Sequence, residues 1–164
     1  CKKNPESKEF ISNYTDDFRK FYKHYKVNNK FIIALHLRRG DVPKNRSLDI
    51  SYYLNILKVI TNCIKNTIIQ IFCDEDIDKS IFKEFNTEFY IFHDIQESWD
   101  MMINSNIFIT SNSGFSWFPA YLNKNLVIYE RQYNWFFPVL DNWLKYNENT
   151  LENDIKKYIN NINN

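Results

Sequence analysis

The chain has 164 residues, 44% of them hydrophobic and 25% charged, the profile of one soluble globular domain spanning residues 1–164. Lys and Arg number 21 against 20 Asp and Glu, leaving a net charge of +1. That balance excludes the basic excess of a nucleic-acid or anionic-membrane binder, so any bound anion needs a local cluster. No apolar run approaches about 18 residues and no signal peptide opens the chain, so neither a membrane span nor a membrane partner is expected. Cys1, Cys63 and Cys73 contain no CxxC pair and make neither a disulfide framework nor a zinc site. Both observations point to a reducing, cytoplasmic setting.

Glycine is scarce. Average usage of roughly 7% would give about 11, yet only Gly40 and Gly114 occur. The GxGxxG dinucleotide fingerprint and the GxxxxGK[ST] phosphate loop are thereby excluded. Both glycines lie inside the two most unusual polar stretches of the chain.

In chain order, Phe10, Ile11, Tyr14, Phe18, Phe21, Tyr22 and Tyr25 have helical spacing and predict an amphipathic helix over Ser7–Lys26. The continuous apolar run Phe31–Leu37 predicts a strand buried on both faces, as in parallel sheets. A helix over Ser51–Asn66 follows, then strand Ile68–Cys73, helix Ile77–Phe85, strand Glu88–Phe92 and helix Ser98–Asn104. Strand Asn106–Thr110, a helix around Trp117–Leu122 and strand Leu126–Tyr129 continue the alternation. An irregular aromatic segment (Tyr133, Trp135, Phe136, Phe137, Trp143) and a helix over Leu151–Asn161 end the chain. Five apolar strands alternating with helices predict an α/β fold, a five-stranded parallel sheet with helices on both faces.

Ligands of such sheets bind beyond the carboxyl ends of the strands. There stand His36-Leu-Arg-Arg-Gly-Asp41, Asp74-Glu-Asp76, His93-Asp94, Ser111-Asn-Ser-Gly-Phe-Ser116 and Glu130-Arg-Gln132. His36 and Arg38 share one side of the first strand by its period of two. Arg38 and Arg39 are two of only five arginines in the chain. Arg forks suit phosphate oxygens, so the pair reads as a diphosphate clamp. The alternative is a structural Arg39–Asp41 pair with His36 as a core histidine. Pro119 fits the first turn of a helix, which makes Ser116 the expected N-cap. A helix start there would offer N–H groups to an anion, with Ser113 and Ser116 adding donors, or it would be simple capping. Asp74-Glu75-Asp76 is a DxD, which in one class of glycosyltransferases holds a metal and a nucleotide diphosphate; here it equally suits helix capping or a base or ribose contact.

Taken in order, His36-Leu-Arg-Arg-Gly-Asp41, Phe72-Cys-Asp-Glu-Asp76, Asp100-Met-Met and Ile109-Thr-Ser-Asn-Ser-Gly-Phe-Ser-Trp-Phe-Pro-Ala-Tyr-Leu-Asn123 resemble the α-1,2-fucosyltransferase family, within the group that shares an HxRRxD-type motif. The likeness runs from about Phe31 to Pro138. It departs at Ser113-Gly114, where paired serines are usual, and at Phe118, where a second Trp is usual. The resemblance implies the Rossmann-like nucleotide-binding lobe of a two-lobed, GT-B glycosyltransferase, a GDP-fucose donor, a glycan acceptor, inversion, and no metal or other cofactor. In that family about one further domain, the other lobe, precedes the HxRRxD segment, where this sequence has about 30 residues. The resemblance therefore allows a fragment whose second lobe lies outside this chain, a minimal enzyme, or a donor-binding remnant without an acceptor site. By position, Arg38 and Arg39 would grip the diphosphate, with His36 and Asp41 buttressing them. Asp74 or Asp76 would face the guanosine, Ser113 to Ser116 would lie by the β-phosphate, and Ser111 is a further expected substrate-binding residue. Arg38 and Asp41 are the expected catalytic residues, with the base either Asp41 or a group in the other lobe. Two readings stand beside this one: a non-catalytic nucleotide-sugar-binding module, and a metal-dependent transferase using Asp74-Glu75-Asp76.

Overall fold

The computed structural model describes residues 15, 17–22, 30–40, 47–130 and 139–162. Most of the helix expected over Ser7–Lys26, Asp41 and the aromatic residues 133–137 lie outside them. The strands are β1 (Phe31–Leu37), β2 (Thr67–Cys73), β3 (Thr87–Ile91), β4 (Ile107–Ile109), β5 (Leu126–Tyr129) and β6 (Trp143–Lys145). The helices are α1 (Ile50–Cys63), α2 (Ile95–Asn104), α3 (Gly114–Leu122) and α4 (Leu151–Ile162). All strand pairs are parallel, in the order β3-β2-β1-β4-β5-β6. The chain winds outward from β1 to β3, returns to place β4 beside β1, and winds the other way. The order reverses between β1 and β4, where sheets of this kind open a crevice.

Alternation along the strands builds two cores. Ile33, Leu35, Leu37, Ile69 and Ile71 face Ile56, Leu57 and Ile60 of α1 and Leu151 and Ile155 of α4. Ala34, Phe72, Phe108 and Val127 face Met102 of α2 and Trp117 and Ala120 of α3. Burial on both faces is why these strands read as unbroken apolar runs. Truncating a fully buried Leu35 or Ile69 to Ala should cost about 2–5 kcal/mol. Arg19 ties residues 17–22 to the end of α3, its Nε donating to the Leu122 carbonyl at 2.6 Å. Cys63 and Cys73 are free thiols. Among the described residues, no helix is long and apolar enough to cross a membrane.

Three expectations need correction. The sheet has six strands, because Trp143–Lys145 adds β6 beside β5. Only three residues pair there, and Trp143 is buried by rings distant in sequence, Trp117 at 5.2 Å and Tyr121 at 4.9 Å. The helix expected over Ile77–Phe85 shrinks to a 3-10 turn, Lys79–Phe82. Asp78 caps its start, accepting from Ser80 N at 3.0 Å, so Ile77 lies outside the turn. Finally, α3 starts three residues early. Its N-cap is Ser113, accepting from Phe115 N at 3.2 Å, so Ser116 lies inside the helix and Pro119 in its interior. Proline there leaves the Phe115 carbonyl without its helical donor. The Ser116 hydroxyl is instead committed to His36 at the end of β1.

Candidate functional site

The parallel arrangement puts every strand's carboxyl end on one rim, with Gly40, Asp74, Asp94 and Ser113 just beyond. At the reversal point, the last side chain of β1 on the α2–α3 face is His36, which is 3% exposed. Its Nδ1 meets Ser116 Oγ at 2.5 Å and Ser111 Oγ at 2.8 Å. Ser111 and Ser116 are themselves 2.9 Å apart, and Ser111 N donates to Ser116 Oγ at 3.1 Å. This cluster pins the ends of β1 and β4 to the first turns of α3.

Burial drives the His36 pKa down to about 3; the Asp74 charge opposes that shift and the Arg38 charge assists it. The imidazole is therefore neutral at physiological pH. With Nδ1 bare, the two serine protons are both used inside the cluster; a proton on Nδ1 would leave one hydroxyl proton without an acceptor. Hydrogen-bond accounting thus assigns the proton to Nε2, the ring edge away from the serines. Phe115 packs on the same ring, with centroids 5.0 Å apart.

Arg38 follows on the same side and pairs with Asp74 at the end of β2, Nε to Oδ2 at 3.1 Å. The other oxygen of Asp74 accepts from Arg39 N at 3.0 Å and Gly40 N at 3.2 Å. Partial desolvation raises the Asp74 pKa, but these N–H groups, its own backbone N–H and the Arg38 charge outweigh it and leave it lowered. Glycine at position 40 permits the approach, since a Cβ there would stand 3.1 Å from the Asp74 carbonyl oxygen.

His36, Arg38 and Asp74 line a cavity of about 170 Å³ with Phe72, Tyr90, Phe92, His93 and Phe115. Arg39 goes to the other side of the sheet, where it donates to Ser47 Oγ at 3.0 Å and lines a second cavity with Asp76. The two adjacent arginines therefore serve different faces, as a strand's period of two requires. Of the expected site residues, His36, Arg38, Asp74, Ser111 and Ser116 come together in one connected group. Ser113 caps α3 beside them, Arg39 and Asp76 sit apart, and Asp41 is outside the described residues. Asp94 caps α2, accepting from Glu97 N at 3.0 Å, while His93 contacts Ser98 and Glu97. Sequence reasoning missed the aromatic wall of the cavity. Phe92 was assigned to the third strand, yet β3 ends at Ile91, so the rule that residues after strand ends carry function points to it.

Among the described residues, no group of three or more His, Cys, Asp or Glu is arranged to hold a metal ion. No protein-family model and no curated protein matches the chain. Among solved structures the chain is similar to TarM, a glycosyltransferase, with a TM-score of 0.52 at 14% sequence identity. The match covers 85% of this chain and 31% of that chain, so this chain spans less than a third of TarM. At that identity the likeness shows the fold alone, an α/β fold with a parallel sheet flanked by helices.

Proposed function

We propose that this chain is the donor-binding lobe of an inverting glycosyltransferase that uses GDP-fucose and a glycan hydroxyl. The observation that carries the reading is Arg38, oriented by Asp74 at the reversal point of a glycosyltransferase-type sheet and facing a cavity closed by the start of α3. The motif resemblance supports fucose and guanosine as the finer choice. In the reaction, the bond from the sugar's anomeric carbon to the β-phosphate oxygen breaks, and its electron pair leaves with GDP. The acceptor hydroxyl attacks from the opposite face and gives up its proton to a base, Asp41 or a group of the second lobe. Sugar transfer passes through an oxocarbenium-like state while charge grows on the leaving diphosphate. A fixed cation aimed at that charge stabilises the transition state more than the ground state. The proposal has Arg38 supply it without a divalent ion. Asp74 and Asp76 lining separate cavities supports that metal-free reading over one in which the DxD shares a cation.

Calorimetric titration with GDP, GDP-fucose and UDP, with and without EDTA, tests the proposal. Binding of GDP and GDP-fucose in preference to UDP, unchanged by EDTA, is the expected result. Absence of GDP binding overturns it, and a strict requirement for Mg²⁺ or Mn²⁺ transfers the reading to Asp74-Glu75-Asp76. Fucose release or transfer by the chain separates a catalytic lobe from a non-catalytic nucleotide-sugar-binding module.

A further inference from the structure

We propose that Phe92, with Ile95 beside it, is the platform on which the planar base of the bound nucleotide stacks; this rests on the nucleotide-diphosphate reading above. Phe92 is 71% exposed and Ile95 58% exposed, and both line the cavity that contains Arg38. Phe92 also has φ 51°, the left-handed region that bulky side chains rarely enter. Its N–H donates to the Cys73 carbonyl at 3.2 Å, which anchors the strained turn to the end of β2. Strain of this kind persists where the surroundings impose it, and it clusters at ligand sites.

The floor next to this platform is a packed set of rings. Phe72 and Tyr90 stack with centroids 5.0 Å apart and an interplanar angle of 17°, and the His93 ring stands edge-on to Tyr90 at 5.1 Å. The cavity of about 170 Å³ is smaller than the roughly 300–1,000 Å³ that encloses a whole drug-sized ligand. It suits one ring-sized group, with the rest of the ligand lying over the open rim. Its chemistry is divided: apolar and aromatic at Phe92 and Ile95, charged at the Arg38–Asp74 pair. A nucleotide divides the same way, with a flat base at one end and phosphates at the other. Stacking on an exposed ring makes use of the π-face that every base has.

The test compares the parent chain with Phe92→Ala, Phe92→Leu and Phe92→Tyr, each checked for folding by circular dichroism. Each is titrated calorimetrically with GDP, guanosine and inorganic pyrophosphate. Phe92→Ala should weaken GDP and guanosine about 5- to 150-fold and leave pyrophosphate unchanged. Phe92→Tyr should restore most of the loss, whereas Phe92→Leu, apolar but not planar, should not. Equal losses for GDP and pyrophosphate overturn the platform, as does a folded Phe92→Ala that binds GDP like the parent. If that variant is silent while Arg38→Ala still weakens GDP, the platform alone falls. If the parent binds none of the three ligands, the platform and the nucleotide reading fall together.

Discussion

Arg38 Nε lies 3.1 Å from Asp74 Oδ2, so the carboxylate that ends β2 fixes the guanidinium that ends β1. The same carboxylate holds the Arg39 and Gly40 N–H groups with its other oxygen, making the turn after β1 and the direction of Arg38 one unit. Both side chains keep about a quarter of their surface in water, 25% and 29%. The pair's importance is therefore direction more than stability.

Replacing Arg38 by Ala should weaken GDP binding by about 1.5–3 kcal/mol, roughly 10- to 150-fold. Any transfer rate should fall further, because charge on the leaving diphosphate grows toward the transition state. Arg38→Lys should rescue only in part, a point charge being unable to reproduce the planar fork. Guanosine, lacking phosphates, should bind parent and variant alike. A folded Arg38→Ala that holds GDP as tightly as the parent would make the arginine structural.

The lowered pKa of His36 predicts an acid-sensitive fold. Unfolded, the imidazole takes a proton near pH 6.5; folded, burial first and the Arg38 charge after it hold the value to about 3, despite Asp74. Between those values the unfolded chain binds the extra proton. This contribution is therefore fully present above pH 6.5 and declines as the pH falls toward 3. Unfolding free energies from urea titrations at pH 7, 6 and 5 should fall steadily. His36→Gln should flatten that slope. Nitrogen NMR of the parent at pH 5 should show a neutral ring; an imidazolium there would refute the assignment.

The two glycines should respond in opposite ways to alanine. Gly40→Ala brings a Cβ to 3.1 Å from the Asp74 carbonyl oxygen, a backbone atom that cannot swing aside. It should cost about 1–3 kcal/mol of stability and loosen GDP binding through the displaced turn. At Gly114 a Cβ meets nothing within 4 Å, and the site is the first residue of α3. Gly114→Ala should be neutral or stabilising by up to about 1 kcal/mol. Thermal unfolding of the two variants side by side decides it.

Phe92→Asn should raise stability while lowering nucleotide affinity. Asn tolerates the left-handed backbone that Phe92 holds at φ 51°, and little buried surface is lost with a ring 71% exposed. The expected gain is about 1 kcal/mol, read from urea denaturation. A variant less stable than the parent would mean that the ring packs to more effect than its exposure indicates.

Much of the fold was legible along the chain, because parallel strands buried on both faces must be apolar at every position and must end in polar residues at the rim. Hence β1, β2 and β5 stand where the runs Phe31–Leu37, Ile68–Cys73 and Leu126–Tyr129 put them to within a residue. The rim segments around Arg38, Asp74 and Ser111 were legible for the same reason. The partners of those segments were not. His36 meets Ser116 across 80 residues and Arg39 N meets Asp74 across 35, separations over which local periodicity carries no signal. Tertiary contact moved the cap of α3 from Ser116 to Ser113, because the Ser116 hydroxyl is taken by His36. It also made a strand of Trp143–Lys145 and turned Phe92 out at the cavity mouth. Burial is a property of single positions and leaves its mark in composition. A site is a coincidence of distant positions, and only the winding of the sheet decides which of them meet.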